Sequence, residues 1–229
     1  MTLTDQRLAP LLGAVIPPPR FKYDETLALI ALQDVLDAEI AQQAAANDAA
    51  GRYPTASIAA LKKSGILKIA VPGDLGGLAA SHRVSLEAQV RIGAIDSAVA
   101  QIFKIHDELT REIFVYAPPE LRPRLAKLIV KETAILGLAV AENGRTADAP
   151  FATLALPQAD GSYSIEGQKI YTTGAAEADL IAVWAFDPVA GATDPRLGFQ
   201  LNLVPPTTPG VTIHRDWDQL GQRATDSGS

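Results

Sequence analysis

Cysteine is absent from this 229-residue sequence, and histidine and methionine are scarce, with three and one respectively. The missing thiols exclude disulfides, thiolate nucleophiles, Cys-ligated zinc and iron–sulfur clusters within the chain. The three histidines, His82, His106 and His214, stand at no metal-ligand spacing, so no metal site is expected. No run of basic residues is present, and Lys+Arg 20 against Asp+Glu 26 leaves a net charge of −6. Nucleic acid is therefore not an expected partner. No apolar run approaches the roughly 20 residues that cross a bilayer, and no membrane partner is expected. Leu8 to Ile16 is mildly apolar, but Asp5 precedes it and Pro10 and Pro17 to Pro19 interrupt or end it, unlike a secretory signal. A cytoplasmic location is the corresponding expectation. What is abundant is core material: 48% hydrophobic and 20% charged residues allow a folded chain of one or two domains.

The pattern changes near Thr133. Before it the spacing is helical. Leu29, Leu32, Leu36 and Ile40 form one stripe after Tyr23-Asp24-Glu25. Thr55 to Ser64 reads as a helix closed by Gly65, and Ser81 to Ile95 as another. A fourth begins at Asp96 or Ser97, a suitable N-cap, with the stripe Val99, Ile102, His106, Leu109, Ile113 and Tyr116. Pro118-Pro119-Glu120 opens a fifth through Lys131. After Thr133 the pattern is that of strands: Ala134 to Ala141, Phe151 to Leu156 and Ser162 to Glu166 around the turn Asp160-Gly161, then Lys169 to Thr173, Leu180 to Phe186, Leu197 to Val204 and Val211 to His214. The expectation is an α+β chain: a mobile segment over 1–22, an all-α domain over 23–133, and a β-rich, barrel- or sandwich-like domain over 134–229.

Common catalytic signatures are missing: there is no H-E-x-x-H, G-x-S-x-G, G-x-G-x-x-G or P-loop. No carboxylate pair stands out. Val71 to Gly77 is glycine-rich but lacks a Lys-Ser/Thr partner, and a plain turn between helices is favoured. Two stretches carry more. Lys169-Ile170-Tyr171-Thr172-Thr173-Gly174-Ala175 joins an aromatic, two hydroxyls and a glycine at a strand end. It could hold a flat ring by its edge, although Thr and Tyr also simply favour strands. Glu142-Asn143-Gly144-Arg145-Thr146 is a polar loop after an apolar strand, a frequent but unspecific place for a site.

Taken in order, four segments resemble the acyl-CoA dehydrogenase superfamily. They are Val71-Pro72-Gly73-Asp74-Leu75-Gly76-Gly77 (VP-x-x-x-GG), Ala141-Glu142 (TE), Gly167 to Ala175 followed by Ala178-Asp179 (G-x-K-x-W-I-T-N), and Trp217 with Gly221 to Gly228 (W-x-x-x-G-Q-R-x-T-x-S-G). The resemblance covers Thr55 to Ser229. Asn143-Gly144-Arg145 in place of the usual GSD-type loop, and Tyr171 in place of Trp, make the chain more similar to the flavin-dependent monooxygenases of the dibenzothiophene monooxygenase and sulfur-acquisition type.

The resemblance implies a flavin, FAD or FMN, and a small organic substrate, in this branch often an organosulfur compound. It assigns cofactor contacts to Glu142, Asn143, Gly144, Tyr171, Thr172 and Thr173. It gives Thr173 a hydrogen bond near the reactive ring nitrogen, Tyr171 a place beside the ring, and Thr172 a hydroxyl near the flavin with, like His106, a catalytic role. It puts His106 where an active-site histidine would donate a proton or polarise substrate; the plainer reading of His106 is a buried helix histidine. Members of the superfamily continue into a C-terminal helical bundle and form homo-oligomers that complete one another's flavin sites. This sequence stops at Ser229, without that bundle. An acyl-CoA dehydrogenase acting on a thioester and a non-catalytic, partner-binding remnant are the two alternative readings.

Overall fold

The computed structural model describes residues 21–229 apart from Asp148. The mobile segment expected over 1–22 thus lies, but for Phe21 and Lys22, outside the described residues. Among the described residues six α-helices come first: α1 (Tyr23–Val35), α2 (Ala44–Ala50), α3 (Thr55–Ser64), α4 (His82–Gly93), α5 (Ser97–Tyr116) and α6 (Arg122–Lys131). Five strands follow: β1 (Leu136–Ala139), β2 (Leu154–Pro157), β3 (Tyr163–Glu166), β4 (Leu180–Phe186) and β5 (Phe199–Val204). Among the described residues no helix is long and apolar enough to cross a membrane.

The apolar stripes become the core. Leu29, Leu32, Leu36 and Ile40 are all buried and pack with Leu61, Ile92, Ile102 and Phe103. Each side chain of that size contributes about 1.5–3 kcal/mol on burial. To keep Leu36 and Ile40 inward, the chain after Val35 widens into a π turn over Leu36–Ile40. The expected single stripe survives, but not as one α-helix. The short helix α2 has no buried residue, and no stripe announces it. The Asp96 carboxylate accepts the N–H groups of Ala98 and Val99 and caps α5 as expected. Tyr116, the last residue of the α5 stripe, is 82% exposed. Pro118 to Leu121 forms a turn, so α6 begins at Arg122 rather than at the prolines.

β4 is the centre of the sheet. β1 pairs with it in parallel, Leu136 opposite Leu180 through Ala139 opposite Val183. β5 pairs with its other edge in antiparallel register. β2 and β3 form the hairpin announced by Asp160-Gly161, with Asp160 Oδ1 accepting from Ser162 N–H, and β2 joins β4 where Leu154 meets Phe186. One face of the sheet packs on α5 through Leu136 and Ala182 against Ile105, Leu109 and Ile113. The other carries Ala139, Ala175, Ala178 and Ile181. Two expected strands do not form. Lys169 to Thr173 and Val211 to His214 are irregular, because their backbone groups bond to other loops, described next.

Candidate active site

Three loops converge beyond the end of β1. Leu138 N–H donates to Thr173 C=O at 3.0 Å and Ile170 N–H to Ala141 C=O at 2.9 Å. Residues 138–141 and 170–173 therefore run side by side. On the far side, Thr172 N–H donates to Gly228 C=O at 2.9 Å, and His214 N–H to Ser229 C=O at 2.7 Å. Three of the four motif segments are thus laced together by backbone bonds. The lacing explains why Lys169 to Thr173 is not a strand: Tyr171 sits at φ +56°, a left-handed conformation that breaks a ladder and costs a side-chain-bearing residue about 1–2 kcal/mol.

Glu142 anchors the first loop. Its carboxylate takes the Lys169 ammonium at 2.6 Å and the N–H groups of Ala152 and Thr153 at 2.7 and 2.9 Å. Lys169 also donates to Val140 C=O. The two charged side chains are only 3% and 7% exposed. Burial alone would push the carboxyl up, but the Lys169 bond and the backbone donors overcome it and pull it down to about 2. The Lys169 ammonium lies 4.1 Å and the Arg145 guanidinium 4.2 Å from the centroid of the Phe151 ring. Every oxygen of Glu142 is engaged within the protein. Its side chain is a staple, not an open ligand group.

Tyr171, Thr173, Asn143 and Gly144 form the open rim above this staple. The Tyr171 ring is 59% exposed and stands edge-on to Trp217, centroids 5.8 Å apart. Asn143 and Gly144 are exposed and Thr173 is half-buried. Thr172, between Tyr171 and Thr173, turns the other way: it is buried and its hydroxyl donates to Gly228 C=O. The Thr173 hydroxyl lies 3.1 Å from Ser227 Oγ. Ser227 in turn reaches Thr225 Oγ1 at 2.8 Å, and Thr225 donates to Gln222 C=O at 2.9 Å. Trp217 Nε1–H donates to that same carbonyl at 3.1 Å.

His106 is not part of this rim. It is fully buried on α5. Its Nδ1 accepts the N–H of Leu136 at 3.2 Å, which leaves Nε2 protonated and donating to Leu67 C=O at 2.8 Å. Burial drives its pKa down, and the Leu67 bond only partly opposes that. The imidazole is a neutral joint between α5, the turn at Leu67 and the start of β1. This geometry favours the plainer of the two sequence readings.

Behind the rim, on the sheet face away from α5, lies a cleft of about 590 Å³ floored by Ala139, Ile181, Val183 and Ile213, with Lys169 and Thr172 in its lining. The rim offers a half-buried hydroxyl at Thr173, an exposed Asn143 and an exposed aromatic ring at Tyr171, which are hydrogen-bonding and flat apolar groups. Sequence reasoning gave no role to Lys169, Phe151, Ser227 or Thr225, although all but Phe151 lie in the motif segments. For Lys169 the available signal was its place in the Gly167 to Ala175 motif, which does not name Glu142, 27 positions away, as its partner. The hydroxyl chain had none, because Thr173 and Thr225 are brought together only by the fold.

Comparison with known proteins gives these features a lineage. Residues 24–132 match the acyl-CoA dehydrogenase N-terminal domain and residues 137–229 the acyl-CoA dehydrogenase middle domain. The chain is 32% identical to dibenzothiophene monooxygenase of Mycolicibacterium goodii over 80% of its own length and 43% of that enzyme's. It is 27% identical to the probable FMNH2-dependent monooxygenase SfnC of Pseudomonas putida, covering 87% of this chain and 48% of that one. It therefore spans less than half the length of these relatives. Among solved structures, FMN-bound TdsC from Paenibacillus sp. A11-2 superposes with a TM-score of 0.79 at 31% identity, over 88% of this chain and 49% of that chain. An acyl-CoA dehydrogenase from Geobacillus kaustophilus superposes with a TM-score of 0.77 at 28% identity, over 90% of this chain and 54% of that chain. The two matched regions, a helical one and the sheet-containing one after it, identify the chain as a member of the acyl-CoA dehydrogenase family.

Proposed function

We propose that this chain carries the flavin-facing wall of a reduced-flavin-dependent monooxygenase acting on a small organosulfur compound. The observation that carries the reading is the convergence of Tyr171, Thr173 and the Asn143–Gly144 loop on one rim, held by the Glu142–Lys169 staple. The similar proteins include dibenzothiophene monooxygenases and a methanesulfinate monooxygenase, which favours the organosulfur class. FMN is the better supported cofactor, since a similar structure holds it; FAD is the alternative. When bound, reduced flavin supplies the electrons with which dioxygen is split, one oxygen atom going to the substrate and the other to water.

The residues of this chain bind and orient. Thr173 offers its hydroxyl to the ring edge, Tyr171 its ring face, and Asn143 and Gly144 their amide and backbone groups. Thr172 supports the turn from behind through Gly228. His106 carries no proton in the reaction, because both its nitrogens are spent on backbone partners. One rim is one wall. A second wall comes from a neighbouring subunit or from a further helical region, and until it is supplied the chain binds flavin weakly and turns over little.

Titration of the purified chain with FMN and with FAD, followed by the flavin absorbance band and by Trp217 fluorescence, tests the reading. Saturable quenching that is lost in Trp217→Phe is expected. Oxygenation of an organosulfur compound should follow when a flavin reductase, dioxygen and the second wall are present. Likeness to an acyl-CoA dehydrogenase structure supports a second reading, oxidation of an acyl thioester, and turnover of an acyl-CoA without oxygen incorporation would establish it instead. Absence of any flavin uptake, with or without the second wall, would leave the partner-binding remnant as the reading.

A further inference from the structure

We propose that Ser227 is a positioning residue that lets the Thr173 hydroxyl act as acceptor or donor, so that the rim accommodates both reduced and oxidised flavin. This rests on the flavin reading above. Ser227 is 3% exposed and Thr225 1% exposed, so neither hydroxyl relies on bulk water. Ser227 Oγ stands between Thr173 Oγ1 at 3.1 Å and Thr225 Oγ1 at 2.8 Å. A hydroxyl has one proton, so Ser227 can donate to only one of these at a time. The other end of the chain is fixed, because Thr225 donates to Gln222 C=O.

Two arrangements follow. In the first, Ser227 donates to Thr225 and Thr173 donates to Ser227, so Thr173 shows lone pairs to the rim. In the second, Ser227 donates to Thr173, and the Thr173 proton points to the rim. The reactive ring nitrogen of a flavin carries a hydrogen when reduced and is a bare acceptor when oxidised. The first arrangement suits the reduced form and the second the oxidised form, with no heavy atom moved. Without Ser227 each arrangement loses its bond to Thr173, but only the first leaves a proton, that of Thr173, without an acceptor in a half-buried place, which costs more than an unfilled lone pair.

The expected consequence is selective. Ser227→Ala should weaken binding of reduced FMN relative to oxidised FMN by about tenfold, the worth of one hydrogen bond, and should lower the potential of the bound flavin accordingly. Ser227→Thr keeps a hydroxyl and should restore the wild-type ratio. Anaerobic titration with oxidised and with dithionite-reduced FMN reads both. An unchanged ratio in Ser227→Ala would overturn this inference while leaving the flavin reading intact. Failure of the wild-type chain to bind either form, with the second wall supplied, would overturn both. A measurement without flavin keeps the bond itself testable: in a double-mutant cycle of Thr173→Val and Ser227→Ala, the combined loss of thermal stability should be smaller than the sum of the two. Strict additivity would overturn the coupling on which the inference stands.

Discussion

Glu142 and Lys169 pair at 2.6 Å beneath the rim, almost completely removed from solvent, and this bond ties β1's outgoing loop to the Tyr171 turn. Breaking such a pair from one side leaves a buried charge and costs about 3–5 kcal/mol. Lys169→Met should therefore lower stability by roughly that amount, read by urea unfolding, and weaken flavin binding further by freeing the Asn143–Gly144 loop. Glu142→Gln with Lys169→Met together should cost less than the two singly. A Lys169→Met variant as stable as wild type would show that the pair does not hold the loop.

The same pair fixes an acid limit. Glu142 ionises at about 2 in the folded chain against about 4.3 when unfolded. A depressed carboxyl contributes stability that is complete above the unfolded value and disappears as pH falls toward the folded one. Stability should thus drop between about pH 4.5 and pH 2, and Glu142→Gln should be less stable at neutral pH yet lose less on acidification. Equal slopes in the two proteins would argue against a charged Glu142.

His106 sets a second, milder window. Burial lowers its pKa, so the unfolded chain binds the proton first. The neutral imidazole then contributes stability that is whole above about pH 6.5, the unfolded value, and diminishes as pH falls below it. His106→Gln keeps a donor toward Leu67 but orphans the Leu136 N–H, at a cost of about 1–3 kcal/mol. In that variant, unfolding free energy should become flat between about pH 5 and 6.5, which urea titrations at several pH values would reveal. An unaltered pH dependence would mean that His106 takes up its proton equally in both states.

Much of this was legible in the sequence, but only where the causes are local. The Asp160-Gly161 hairpin, the Asp96 cap and the β4 run Leu180–Phe186 follow from turn and cap residues and from an unbroken apolar run. The stretch Lys169 to Thr173 misled, because its Tyr and Thr residues favour strands while Ile170 and Thr172 bond to the distant Ala141 and Gly228. His106 was ambiguous for a similar reason. Its helical stripe says buried, but only Leu67 and Leu136 say why. The rim residues could be named through family likeness, whereas the hydroxyl that meets Thr173 is that of Ser227, itself bonded to Thr225, and no spacing rule connects either to Thr173.

Gly228 is where the third loop tolerates no side chain. A Cβ there would lie 1.9 Å from the His214 carbonyl oxygen and 2.8 Å from Asp216 Oδ1. Gly228→Ala must push residues 227–229 off both His214 and Thr172, at a cost of about 1–3 kcal/mol or more. Gly221, with nothing within 4 Å of its added Cβ, is the control, and Gly221→Ala should be close to neutral. Thermal unfolding of the two variants separates them; similar losses would mean the C-terminal segment is not seated as described.

Tyr171 offers the clearest separation of stability from binding. It holds φ +56° while presenting a ring that is 59% exposed, a conformation that glycine adopts without the penalty of about 1–2 kcal/mol. Strained, exposed aromatics of this kind persist where they serve a ligand. Tyr171→Gly gives up the edge contact with Trp217, worth about 0.5–1.5 kcal/mol, and recovers a similar amount from the backbone. The melting temperature should therefore stay within a few degrees of wild type, while flavin-induced quenching of Trp217 falls sharply. Tyr171→Phe, which keeps the ring and the strain, should bind flavin as wild type does. If Tyr171→Gly binds flavin undiminished, the ring belongs to the Trp217 contact alone and the flavin lies elsewhere on the rim.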